Sequence, residues 1–329
     1  MANTMMGRRV TAADIAREVG VSRATVGFVL NATAGQTISA ATRERVLEAA
    51  SRLGYRPHLA AQALASGRNH IVLLVLPDWP MEYSMSRHIE EASLVLDEAG
   101  YSLVTTTPHP GGTARPLWET LQPDVVIGFV PFTPVEAERI RASGVAVITS
   151  ASAPGEPSPE NATFAQGPRL QVNHLIDRGH RRLAFGTEPD PRLRDLVTSR
   201  RDLAVATAAA AGLPPLQVAD ICEDSALATV AAWRDAGVTA VVAYNDTIAA
   251  QVAGAAIRLG LRVPQDLAVI GHDDSPLSRL FVPALSTIRL DDAGLGKYFA
   301  AVALSAAAGA AAPPAQASPQ AYVVPREST

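Results

Sequence analysis

The sequence predicts an α/β protein: a small three-helix head followed by a two-lobed body of doubly wound parallel sheets. Three observations predict this. Short amphipathic helices with clear start and stop signals crowd residues 11–54. Beyond residue 70, strand-length apolar runs alternate with helical periods in a repeated βα rhythm. That rhythm breaks at the Pro/Ser/Gly-rich stretch SAPGEPSP (152–159) and then restarts, which implies two lobes with a cleft between them.

Composition bounds the function. A chain of 329 residues suits about two domains. Hydrophobic residues make up 48% and charged residues 18%, which builds cores and excludes a disordered chain. Aromatics are only 5%, so Ala, Val and Leu must form most of the interior. The single cysteine, Cys222, excludes an intramolecular disulfide and a Cys-based zinc site. No apolar run reaches 18 residues, so no membrane helix is expected. The opening MANTMMGRRVTAADIAREVG lacks the apolar core of a secretory signal, so a cytoplasmic location is expected. The net charge of −4 hides an asymmetry. Residues 1–68 hold nine arginines against four acids, a surplus of five, while the rest of the chain is acidic. A basic head on an acidic body suggests a module that binds a polyanion.

The head reads as three helices. Thr11 caps the first, whose apolar positions Ala12, Ile15, Ala16 and Val19 share a face, and Gly20 ends it. Ser22 caps the second, with Val21 and Val26 as a hydrophobic staple. Val26, Val29 and Leu30 are expected to face inward, leaving Arg23, Ala24, Gly27 and Phe28 outside. Ser39 caps the third helix, which carries Val46, Leu47, Ala50 and Leu53 and ends at Gly54. Two short helices joined by a tight turn, with a third behind, make a helix-turn-helix. Its second helix enters the DNA major groove, and the N-terminal side chains of that helix reach base edges. Phe28 fits this reading, because an aromatic on an outer face is better explained by a partner than by solvent.

These segments resemble the LacI/GalR family of bacterial transcription regulators. The match runs through VTAADIAREVGVSRATVGFVLN (10–31), SAATRERV (39–46) and LGYRP (53–57). The resemblance implies that Arg23 and Ala24 occupy base-reading positions. It implies that Thr11, Ser22, Thr25, Asn31, Ser39, Thr42 and Tyr55 contact or position phosphates, which sets register rather than sequence preference. The family's usual Ser-Arg pair is replaced here by Gly27-Phe28, and the loop after Asn31 is longer than in the shortest members. Arginine bonds guanine, whereas Phe28 can only make an apolar contact.

Residues 57–68 are expected to form a hinge helix, starting at Pro57 and closing at Gly67. About two turns are marginal alone, so this helix should order when docked. The resemblance implies that Leu64 wedges into the minor groove beside the same residue of a second copy. His58 stands where the family usually has Asn.

In the body, IVLLVL (71–76), YSLVTT (101–106), DVVIGF (124–129) and VAVITS (145–150) read as strands, with helices at 87–99 and 134–143. After the break come helices at 169–178, 199–211, 225–236 and 246–259, and strands at RLAFG (182–186), TAVVAY (239–244) and LAVIGH (267–272). LIDRGHRRL (175–183), Asn245-Asp246, RVPQDLAVIGHDD (262–274), PALSTI (283–288) and VVPREST (323–329) are similar to the periplasmic-binding-protein-like core of the same family. The resemblance implies three crossings between lobes, near 160–166, 288–292 and 315–321, with a last helix at 291–308 in the N-terminal lobe. The resulting division is a head at 1–56, a hinge at 57–68 and an effector-binding and dimerisation core at 69–329. Within that core the N-lobe takes about 69–162 and 291–316, and the C-lobe about 163–290 and 317–329.

A small effector is expected in the cleft, at the carboxyl ends of the strands. The resemblance assigns Arg200, Asn245 and Asp273 to it, as a guanidinium clamp and two polar contacts. Trp79, just after the first strand, can stack on a ring or pack as a loop aromatic. Asn245-Asp246 also suits a helix cap, and Asp273-Asp274 a turn. Three departures fall here: the crossing reads NATFAQGP, Leu203 replaces a usual Gly, and the loop PDWPMEYSMS is unlike the common sugar-binding version.

Catalytic motifs are absent. There is no GxSxG, HExxH or GxxxxGK[ST], and GLGK (294–297) lacks a strand-to-helix context. His174 and His180 have no carboxylates at metal spacing, so neither a metal nor another cofactor is expected. The reading is a DNA-binding regulator, with operator DNA of inverted-repeat form, a small-molecule effector and a homodimer or tetramer as partners, and no membrane. The alternative is an α/β solute-binding or sugar-metabolising protein whose head serves another purpose.

Overall fold

The computed structural model describes residues 10–30, 35–55, 68–109, 111–148, 159–311, 313 and 321–329. The chain divides into two compact units, Met1–Asn69 and His70–Thr329.

The first unit holds α1 (Ala12–Val19), α2 (Arg23–Leu30) and α3 (Ala40–Arg52). Local chemistry starts and stops each helix. The Asp14 carboxylate accepts from the Thr11 N–H at 2.9 Å and the Thr11 hydroxyl at 2.7 Å. Ser22 Oγ accepts from the Thr25 N–H at 3.0 Å, and Ser39 Oγ from the Thr42 N–H at 3.2 Å. Gly20 has φ 74°, and its N–H and that of Val21 both reach the Ala16 carbonyl. Ile15, Val19, Val26, Val29, Val46 and Ala49 form the buried centre. Leu47 is 50% exposed. The inward stripe of α3 runs 46, 49, 50 and 53, and residue 47 lies about 100° away from it around the helix.

The second unit begins with a parallel sheet in the order β2-β1-β3-β4. Its strands are β1 (Ile71–Val75), β2 (Ser102–Thr106), β3 (Val125–Gly128) and β4 (Ala146–Ile148). α4 (Tyr83–Glu98), α5 (Leu117–Leu121) and α6 (Pro134–Ala142) connect them. Alternation along β1 covers both faces. Val72 and Leu74 pack with Leu96 and Ala300, while Leu73 and Val75 pack with Ile140.

A second parallel sheet follows, in the order β6-β5-β7-β8. Its elements are α7 (Pro159–Asp177), β5 (Leu183–Thr187), α8 (Arg194–Ala210), β6 (Gln217–Asp220), α9 (Ala226–Asp235), β7 (Ala240–Ala243), α10 (Asp246–Arg258), β8 (Ala268–Ile270) and α11 (Pro276–Leu280). β9 (Thr287–Leu290) and β10 (Ala321–Val324) form an antiparallel pair. Between them α12 (Asp292–Ala307) returns to the first sheet and lies along α4. The approach is close: a Cβ on Gly296 would sit 2.6 Å from the His88 carbonyl oxygen. Among the described residues, no helix is long and apolar enough to cross a membrane.

Several boundaries differ from expectation. α7 begins ten residues before Arg169 and runs through Gly167 and Pro168, a pair that reads as a helix breaker. The glycine is there for space, since a Cβ would lie 2.0 Å from Nε2 of His272. α4 and α8 also start a turn earlier than the sequence suggests, at Tyr83 and Arg194. The strands β6, β9 and β10 and the short helices α5 and α11 were not expected. β6 is largely exposed and shows no apolar run, while β9 and β10 are paired across an intervening helix.

Candidate functional site

In the head, Arg23 and Ala24 are exposed at the start of α2. Phe28 is half-buried, on the face opposite Val26 and Val29. The apolar side chains packed around the head's core are Ala12, Val21, Leu30, Ile38, Leu53 and Tyr55, and Phe28 is not among them. Thr11, Ser22 and Ser39 stand at the N-termini of the three helices, with Thr25 and Thr42 each hydrogen-bonded to the preceding serine at 2.9 Å. Helix N-termini favour negative charge, so these positions suit phosphate. Asn31 and Leu64 lie outside the described residues.

In the body, the loops after β1, β5, β7 and β8 converge on one cavity of about 320 Å³. β1 and β3, and β5 and β7, are the pairs at which each sheet reverses its winding, where an open α/β sheet leaves a crevice. Glu82, at the N-cap of α4, makes no capping bond. Its carboxylate instead reaches the second lobe and accepts from Asn245 Nδ2 at 2.9 Å and the Tyr244 hydroxyl at 3.3 Å. Asn245 does two things at once, because its Oδ1 also caps α10 through the Ile248 N–H at 2.9 Å.

Arg200 lies just behind this wall and is 3% exposed. It donates to the Tyr244 carbonyl at 2.7 Å and to Asp273 Oδ1 at 3.2 Å, with its guanidinium 4.7 Å from the Tyr244 ring centre. Asp273 also meets His272 Nδ1 at 2.6 Å. Burial works against the Asp273 charge, but Arg200 and His272 outweigh it and hold the carboxyl below the usual carboxylate range. Burial, then Arg200, lowers His272. Burial and the Asp273 charge push Glu82 up. Asp246 accepts from the Ser275 N–H at 2.6 Å and the Thr287 hydroxyl at 2.5 Å, and burial raises it to about 7. Asp273 has φ 94°, a left-handed backbone that aspartate tolerates better than most residues and that aims its carboxylate at Arg200.

The N-terminal region, residues 11–58, matches the profile of bacterial regulatory proteins of the lacI family. Residues 172–329 match that of a periplasmic binding protein-like domain. The HTH-type transcriptional regulator MalR of Streptomyces coelicolor is 30% identical over 325 residues, covering 92% of this chain and 91% of that one. The chain belongs to the LacI family. Catabolite control protein A of Priestia megaterium is also 30% identical, over 85% of this chain and 87% of its own. Among solved structures, the lac repressor dimer bound to operator and the anti-inducer ONPF aligns with a TM-score of 0.79 at 24% identity, covering 98% and 99% of the two chains. As a LacI-family member this chain is a DNA-binding transcriptional regulator and not an enzyme.

The LacI-type cleft brings Asn245 and Asp273 together on its wall, with Arg200 buried behind them. It does not bring Trp79 to that wall. Trp79 packs edge-on against Phe129 with ring centres 6.2 Å apart, the loop-aromatic alternative. Glu82, Tyr244 and His272 escaped sequence reasoning as site residues. The one available signal for Glu82 was the unfamiliar PDWPMEYSMS loop that contains it.

Proposed function

We propose that this LacI-family regulator is a repressor that binds an inverted-repeat operator as a homodimer and is switched by a small effector, a sugar or related metabolite, in the cleft. The observation that carries the reading is the cavity between the sheets, with Asn245 and Asp273 on its wall and Glu82 reaching in from the other lobe. CelR, a regulator of similar fold whose structure was solved as a cellobiose complex, supports a sugar-like occupant.

Arg23, Ala24 and Phe28 read bases, while Thr11, Ser22, Thr25, Asn31, Ser39, Thr42 and Tyr55 hold phosphates. Residues 57–68 act as the hinge between the head and the core, and Leu64 is its wedge. Pairing with a second copy is supported by α11 and the turn after it, where Leu280 and Val282 are 79% and 82% exposed. The test is binding-site selection followed by anisotropy on the selected duplex across a salt series, with ligand carried through purification identified by mass spectrometry. The logarithm of the affinity should fall linearly with log salt, and the affinity should change when the retained ligand is added. Equal affinity for a scrambled duplex would overturn the operator reading.

A further inference from the structure

The charge balance of the cavity wall is uneven. Its described lining residues include Glu82, Glu188, Asp190, Asp246 and Asp273, and no lysine or arginine. Most of these acids are already answered by other groups of the protein. Asp273 has Arg200 and His272. Asp190 has Arg192 at 2.7 Å, and Asp246 accepts from Ser275 and Thr287. Arg200 cannot turn toward a ligand without giving up Asp273 and the Tyr244 carbonyl. His272 is turned to Asp273 through Nδ1. The remaining acid on the first lobe's side is Glu82, which no arginine touches among the described residues and which instead occupies the Asn245 amide and the Tyr244 hydroxyl. Those two donors are the groups that an incoming anion would need. A hydroxyl or ammonium group, by contrast, finds in Glu82 an acceptor already held in place.

We propose that Glu82 is the specificity-determining residue of the cleft: its carboxylate, fixed by Asn245 and Tyr244, selects an effector that presents hydroxyl or ammonium donors and rejects one that presents phosphate or carboxylate. The inference rests on the cleft being the effector site. Two features of the geometry make the selection strong. The carboxylate is half-buried, so solvent screens it weakly. It also competes for the donors as well as repelling the anion, so an acidic ligand loses on both counts.

The test measures binding of matched probes to the full chain by calorimetry. The probes are glucose, galactose and their disaccharides, each in neutral, 2-amino and 6-phosphate form, against the unaltered protein and Glu82→Gln. The glutamine keeps an oxygen for Asn245 and removes the charge, so folding is preserved, and thermal unfolding checks this. For any probe that binds, the phosphate form should bind at least tenfold more weakly than its parent, and Glu82→Gln should shrink that ratio at least threefold. A phosphate form that binds as tightly as its parent, or a ratio unmoved by Glu82→Gln, overturns the role of Glu82 and leaves the effector site standing. Failure of every probe, together with no ligand retained on purification, overturns both.

Discussion

Replacing Arg200 with alanine tests the architecture of the cleft most directly. Arg200 is 3% exposed and Asp273 5%, so their pair is buried and water cannot take over from either partner. Truncating one member of such a pair leaves the other charge uncompensated, which costs about 3–5 kcal/mol. In a unit of this size each kcal/mol moves the melting temperature by about 2–4 °C, so Arg200→Ala should melt roughly 6–20 °C lower. Asp273→Asn added to it should restore part of the loss, because no unpaired charge remains. The pH dependence has a definite sign. Asp273 is held below the usual carboxylate range, so its contribution is present above the unfolded value near 3.9 and fades as pH falls below it. Arg200→Ala should therefore flatten the acid limb of stability. The assay is thermal and denaturant unfolding of both single variants and the double, from pH 3 to 8. A loss under about 1 kcal/mol for Arg200→Ala, or strict additivity in the double, would refute the buried-pair account.

Other outcomes follow from the same geometry. Phe28→Arg should shift preference at one operator base pair, by about 1–3 kcal/mol, and leave the others alone; binding-site selection that finds a uniform loss would instead mean an inward-packed ring. Asp246, raised to about 7 from 3.8, takes up a proton on folding between those values, so stability should fall as pH climbs through that window. Asp246→Asn should remove that fall, on the order of 1 kcal/mol per pH unit, and an unchanged profile in a urea series would sink the assignment. Leu280→Glu with Val282→Glu should convert a dimer to monomers in sedimentation without altering the melting of the body; a dimer that survives both changes would place the interface elsewhere.

What the chain alone determines is whatever depends on neighbours in sequence. The caps Thr11, Ser22 and Ser39, the stop at Gly20 and the alternation of β1 follow from hydrogen bonds and periodicities that span only a few residues. The head and the two parallel sheets were legible for that reason, whereas Asn245 and Asp273, each just after an apolar strand, entered as positions implied by the family resemblance. Tertiary structure decided the rest. Gly167-Pro168 reads as a break, yet the helix continues through it, and the glycine is required because the ring of His272, a hundred residues later, fills the space a side chain would need. Arg200 reads as a clamp for a ligand, yet folding gives its guanidinium to Asp273 and the Tyr244 carbonyl. Glu82 carries no signal beyond the unfamiliar loop around it, since its partners lie 162 and 163 residues away. A carboxylate's role in such a cleft is set by which donors reach it and how much water is excluded, and both are properties of packing between lobes rather than of local sequence.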